Sequence, residues 1–549
     1  MTRPAWLAGA SLVLLLTGCA GDSDRQPQPR DYGVIGGPSG TELAAEQVLH
    51  KANETEPQTL DPHRAQGVSD SNILRDLYEP LVMEAPDGTL IPGAAERWSL
   101  SDDGRVYTFW LRSEGRWSNG DPVTADDWVF SLRRAVDPAT LSIYSSILYP
   151  IRNAEAINKG ELPPEQLGVR ALDPLTLEIT LENPTPFFLG LLNHSMAYAV
   201  HPPSVREYGD KFARPGKLIG NGAYRLKDWV VQSHVELERN QAYRENSQTI
   251  IDNVFYYAIE NSDAVFARYR ADELDFTTNI PLRQLDYIKA TLPNDFVASP
   301  YLGSYYYGLN VTRPPFKDAP GLRRALAMAV DREIITGKLS GAGELPAYGW
   351  VPPVQGYTQQ SPEWAGWTRE QRHAEAQRLY AAAGFGPDNP LVLEILYNTS
   401  QEHKRLAIAI SAMWKQVLGV ETRLLNQEWK VFLQTRALRA ETEVFRSGWI
   451  GDYNDANTFA DLLHSANPQN DSGWANARYD ELLELAAVEI DAQQRARYLE
   501  EAERILLAEQ PIIPLYFYVS KHLVKPWVGG FVPNIMDHTY TKDLYILAH

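Results

Sequence analysis

Between positions 446 and 459 the chain reads Arg-Ser-Gly-Trp-Ile-Gly-Asp-Tyr-Asn-Asp-Ala-Asn-Thr-Phe. The glycines Gly448 and Gly451 bracket Trp449 and Ile450, and a carboxylate, Asp452, follows directly. Where no Cβ intervenes, another backbone can lie close. A carboxylate beside an open strand edge and an indole can do three jobs on an extended peptide: pair with its amino terminus, ladder with its backbone, and stack on a side chain. The same cluster also reads as an ordinary turn between strand and helix, with Asp452 or Asn454 as a cap.

Other chemistry is hard to find. The sequence has no G-x-S-x-G elbow, no H-E-x-x-H pair and no P-loop, and its single cysteine, Cys19, excludes both C-x-x-C and an internal disulfide. Its 11 histidines are scattered, with no i, i+4 pair in a helical stretch to hold a metal. Gly220-Asn-Gly222 lacks the third glycine and the strand-to-helix setting of a dinucleotide site. Asp126 and Asp127 follow Thr124 and precede Arg133 and Arg134, the order a capped helix and its dipole favour, so this carboxylate pair is structural. No cofactor, metal or catalytic residue is indicated. Catalytic groups can still assemble from distant positions, which keeps a secreted peptidase that captures an extended strand open as a second class.

The elements that must position these residues begin with a leader. After Met-Thr-Arg an apolar run from Trp6 to Leu16 ends in Leu16-Thr17-Gly18-Cys19, a signal peptide over 1–18 with a lipobox. The run is too short to span a bilayer, and no later segment of about 18 apolar residues exists. Cys19 becomes the acylated first residue of a membrane-anchored lipoprotein, and the Pro-, Gly- and Ser-rich stretch up to 45 is its tether. The roughly 500 residues that follow exceed one core and imply two or three lobes. A net charge of -19 argues against nucleic acid. With 14 Trp and 28 Tyr the chain is rich in rings that line ligand clefts, although most will be core.

Periodicity predicts a first strand over 47–53, an extended segment through Gln66-Gly67-Val68, and a helix from Asn72 to Leu77 that stops before Glu79-Pro80. A strand follows over 107–112, a hairpin over 169–181 about Asp173-Pro174, and two strands near 222–226 and 235–238. Asp318 and Pro320 open a helix. A strand at 391–397, a helix whose apolar residues recur from Leu406 to Leu418 before Gly419, and a strand at 420–425 form a parallel unit of an α/β lobe. Gln493 to Glu509 is a helix, Pro511 ends it, and 512–519 is an aromatic strand.

Several ordered segments together resemble the bacterial oligopeptide-binding proteins of ABC importers, within the peptide and nickel branch of extracellular solute-binding proteins. They are Asp61-Pro-His63, 117–127, 221–226, Asn426-Gln-Glu-Trp-Lys, Gly448-Trp-Ile-Gly-Asp-Tyr-Asn and 523–530. The resemblance spans about 46 to 549. It implies an α/β, two-lobed periplasmic-binding-protein-like (Venus flytrap) fold with a third domain inserted in the first lobe. Lobe I would comprise 46–78, 203–303 and 520–549, the insert 79–202, and lobe III 304–519. It also implies a monomeric, non-catalytic receptor without cofactor that passes short peptides to a membrane permease. The peptide's amino group would pair with Asp452 and its backbone would ladder with 66–68 and 448–450. Trp429, Trp449, Arg436 and Arg446 match further cleft positions, as do Asn279 and Tyr144, while His403 resembles a position near the carboxylate end. Gln66 stands where similar members have Glu, which lowers the negative field offered to a basic ligand. Cell-wall peptides, dipeptides, nickel chelates or sugars are the alternative cargoes within the same fold.

Overall fold

A computed structural model describes residues 42–85, 89–354, 356–439 and 442–549, apart from the side chains at 429 and 430. The leader, Cys19 and most of the tether lie outside the described residues, as does the Trp429 side chain. Three sheets organise the rest. In the first, Val48–Ala52 runs parallel to Asn253–Tyr257, which pairs antiparallel with His234–Arg239 and then Tyr224–Val230. Alternation buries one face of these strands against Leu49, Leu74, Leu77, Tyr224, Leu237 and Val254. The second sheet, formed by Ala95–Leu100, Val106–Leu111, Thr176–Thr180 and Val169–Asp173, carries its own core around Phe109, Trp128 and Leu177. The helix Ala125–Val136 covers it, and the Asp127 carboxylate accepts the Thr124 N–H at 2.9 Å, as a structural carboxylate should.

The third sheet holds six strands in the order Leu345–Pro346, Ile512–Leu523, Phe296–Leu309, Val444–Ile450, Val392–Asn398 and Glu421–Gln427. Its parallel pair Val392–Asn398 and Glu421–Gln427 flanks the helix Gln401–Leu418, which Gly419 ends in the left-handed region at φ 77°. Two long strands, Phe296–Leu309 and Ile512–Leu523, join the first and third sheets, and their pairing breaks register between Pro300 and Ser304. Below the break Leu523 bonds Thr277 of the first lobe, and above it the strands are central in the third sheet. The chain is therefore two α/β lobes linked by shared strands, with a third unit inserted in the first lobe.

The helix expected from Asn72 begins earlier, at Val68, because the Asp70 carboxylate draws in the Gly67 N–H at 3.0 Å and closes the first turn. The 66–68 segment is thus a turn entering a helix. The strand expected over 512–519 runs on to Leu523, since its far end pairs with the other long strand.

Candidate functional site

The strand Val444–Ile450 pairs along its length with Phe296–Leu309 on one side. On the other side it meets Val392–Asn398 only at Val444 and Phe445. From Arg446 to Ile450 the outer edge has no partner strand among the described residues, so the row of backbone groups there is open to an extended ligand. Gly448 and Gly451 also meet a need within the protein. A Cβ at Gly448 would lie 2.5 Å from the Tyr518 hydroxyl oxygen, and one at Gly451 would lie 2.6 Å from Leu302 Cδ2. Both glycines make room for the protein's own side chains.

Asp452 sits just past the end of this strand, half-buried, and its backbone N–H donates to Thr458 Oγ1 at 3.2 Å. It caps no helix, for Asn457–Asp461 begins after Ala456 without a side-chain cap. No cation lies within ion-pairing distance of its carboxylate among the described residues. Burial, with Asp461 nearby adding like charge, pushes the Asp452 carboxyl up to about 7. Such a group is destabilised as an anion until a cation arrives. The next residue, Tyr453, enters the core of the inserted domain and stacks on Phe187 at 5.2 Å with planes 7° apart. Arg495 binds Asp455 through two 2.8 Å contacts and lies over the same Phe187 ring. Tyr144, also from the insert, feels the Asp452 charge, and burial with that charge raises its hydroxyl to about 12. Lobe III therefore rests against the inserted domain beside Asp452.

At the other end of the open edge Arg446 is a second uncompensated charge. Its guanidinium donates to Asn398 Oδ1 at 3.2 Å and reaches the Tyr518 hydroxyl at 3.5 Å, with the Tyr305 ring 4.9 Å away. No carboxylate lies within ion-pairing distance among the described residues. His403 lies nearby, its Nδ1 3.2 Å from the Tyr305 hydroxyl, and burial with the Arg446 charge holds it well below 6.5. The imidazole is neutral and can offer hydrogen bonds but no charge. A cavity of about 490 Å³ between the lobes is lined by Arg446, His403, Ile450, Asn279 and Val68. The buried Asn279 Oδ1 has no hydrogen-bond partner among the described residues.

Other expected residues have different surroundings. Arg436 is engaged: it pairs with the buried Asp471 at 2.5 Å and donates to Ser447 Oγ at 2.9 Å, so it braces the open strand from behind. Trp449 donates its indole N–H to Thr458 Oγ1 at 3.3 Å and packs partly on the lobe core. At the 66–68 segment the Gly67 N–H is bound by Asp70 and the Gly67 carbonyl by Ser71, so its ladder is shorter than expected. Gln66 is exposed and Val68 reaches the cavity. The tyrosines Tyr301, Tyr305, Tyr516 and Tyr518, which sequence reasoning missed, line the same cavity. Their signal was present in the aromatic residues at period 2 in the two long strands.

Comparison with known proteins adds the following. Residues 89–471 match the family model of bacterial extracellular solute-binding proteins, family 5, middle segment. The periplasmic oligopeptide-binding protein OppA of Escherichia coli strain K12 is 42% identical over 517 residues, 93% of this chain and 95% of the relative. The solved structure of the Escherichia coli murein tripeptide binding protein MppA has a TM-score of 0.87 at 38% identity, covering 93% of this chain and all of that one (100%). The crystal structure of Haemophilus influenzae OppA in complex with RPPGFSPFR has a TM-score of 0.85 at 38% identity, covering 92% and 100% of the two chains.

Proposed function

The chain belongs to the bacterial extracellular solute-binding proteins of family 5, and from that membership we propose that it captures short peptides for an ABC importer. The peptide lies extended between the lobes, its ammonium on Asp452, its backbone along 446–450 and its carboxylate toward Arg446 and His403. One observation carries this reading: among the described residues, an unpaired strand edge bears an uncompensated carboxylate at one end and an uncompensated guanidinium at the other. At about 3.3 Å per residue that edge accommodates a peptide of roughly three to five residues. Main-chain pairing is indifferent to side-chain identity, so affinity is broad, while the two charges fix direction.

The lobes move about the register break at 300–304, and ligand contacts made from both sides favour the shut state. Asn279 Oδ1 and the 66–68 turn act from the first lobe, with Tyr144 beside the amino end. Trp449, Gly448 and Ile450 supply the facing wall, and Arg436 holds it in place. Cys19 is the proposed lipid anchor, and the protein works as a monomer at an extracytoplasmic membrane face. The family relation to an MppA that binds murein tripeptide makes cell-wall peptides the second cargo to test.

Titration calorimetry with free tri- to pentapeptides beside the same peptides N-acetylated tests the reading. Free peptides are expected to bind and acetylated ones to fail. Equal binding of both would remove Asp452 from this role, and no binding of either would remove peptides as cargo.

A further inference from the structure

The interlobe cavity also carries charges that holding the two ends of a peptide does not use, and the inference from them rests on the peptide reading above. Glu54 enters the wall from the first lobe and Glu402 from the third, at the start of the helix Gln401–Leu418. No hydrogen bond or ion pair satisfies Glu54 among the described residues. Glu402 accepts from the Ser400 hydroxyl at 3.0 Å and has no cation within pairing distance among those residues. Most other charges in the wall are matched. Lys521 pairs with Glu344 at 2.7 Å and His522 with Asp537 at 2.7 Å. The Lys51 ammonium, only 3% exposed, sits near Asp76 and Asp537 between the rings of Tyr256 and Phe276. Arg446 is turned among the tyrosines, and Arg405 donates to the Leu339 carbonyl at 3.3 Å with Glu260 exposed at the rim.

Two further features mark Glu54. Its backbone holds φ 51°, in the left-handed region that non-glycine residues seldom enter and that costs free energy to maintain. Burial raises its carboxyl above the ordinary range, His522 offsets part of this, and Asp537 and Glu402 add like charge. On the same cavity the buried Asn279 Oδ1 is an acceptor without a donor among the described residues. A strained backbone thus holds one carboxylate in the wall of a cavity to which the opposite lobe contributes a second. Their like charges oppose each other across the cavity, and a cation between them reverses that cost.

We propose that Glu54 and Glu402 select a cationic, lysine- or arginine-like side chain at one position of the bound peptide, clamping its charge between the lobes while Asn279 Oδ1 accepts one of its N–H groups. The protein then combines indifference to most side chains with a preference at one of them.

The test is calorimetry with alanine tetrapeptides carrying lysine, or uncharged norleucine of similar length, at each position in turn. At one position lysine is expected to bind roughly tenfold or more tighter than norleucine, the scale of one charge-assisted contact. In Glu54→Gln and in Glu402→Gln that ratio should shrink to about twofold or less, with affinity for tetra-alanine kept. Because Glu402 is exposed, its variant reads the effect even where Glu54→Gln disturbs the strained turn. Equal affinity for lysine and norleucine at every position, with tetra-alanine bound, overturns this selection and leaves the receptor reading standing, as does a preference that survives both variants. Failure of the wild type to bind any of the peptides overturns both.

Discussion

Asp452 offers the sharpest test, because its carboxyl titrates near pH 7 while it waits for a ligand. An ammonium binds only the ionised form, and the ionised fraction falls from about one-half at pH 7 to about one-thirtieth at pH 5.5. Peptide affinity should therefore weaken by about 1.6 kcal/mol in all between pH 7 and 5.5. On the alkaline side the peptide's own α-amino group loses its proton above about 8, so affinity peaks between roughly 7 and 8. Binding at pH 6 must expel roughly 0.9 proton, since about nine-tenths of the carboxyl is protonated beforehand. Calorimetry with tri-alanine in buffers of different ionisation enthalpy measures both quantities. Asp452→Asn should abolish the acid limb and cost about 2–5 kcal/mol at the optimum. An affinity flat from pH 5.5 to 7.5, or no proton release at pH 6, would refute the reasoning. The sign for the empty protein is opposite. A folded value of about 7 above the ordinary 3.8 means the native state binds more protons between them. This group's contribution to stability is thus full below the ordinary value and lost as pH rises through 7, so Asp452→Asn should raise Tm without ligand at pH 7.5.

Other substitutions probe the rest of the cleft. Tyr453→Ala removes the ring seated against Phe187 and should weaken tri-alanine binding about tenfold to a hundredfold through closure alone, with scattering showing a more open average shape. Arg446→Gln should erase discrimination between free and C-terminally amidated peptides, a difference expected at about tenfold in the wild type and read by calorimetry. Gly448→Ala drives a methyl toward the Tyr518 hydroxyl, and a loss of about 1–3 kcal/mol in denaturant unfolding is expected, with weaker binding as the tyrosine is displaced.

The parallel unit around the helix Gln401–Leu418 was legible because apolar spacing, a left-handed glycine stop and two apolar strands agree with one another. The hairpin at Asp173-Pro174 and the Thr124 cap were legible for the same local reason. What local pattern cannot show is which distant group meets which. Arg436 looked like a cleft cation, but Asp471, 35 positions on, claims it. Gly448 looked like a ligand approach, and the atom that needs its missing Cβ is on Tyr518. The elevated carboxyl of Asp452 depends on enclosure that forms only when lobes far apart in sequence come together. Glu54 and Glu402 belong to no motif at all and acquire meaning only because distant parts of the chain bring both into the wall of one cavity.

The open edge over 446–450 has a consequence for solubility as well. A bare row of strand groups is the kind of surface along which chains zip together into aggregates, and proteins usually blunt it with charge, proline or a covering element. Here the shield is position: the two ends of the edge, Arg446 and Ile450, line the cavity between the lobes. A cavity of about 490 Å³ is too small for a folded neighbour, whereas a short flexible strand fits. The wall that keeps the protein from polymerising with itself is therefore also a sieve, admitting fragments and excluding the intact proteins from which they come.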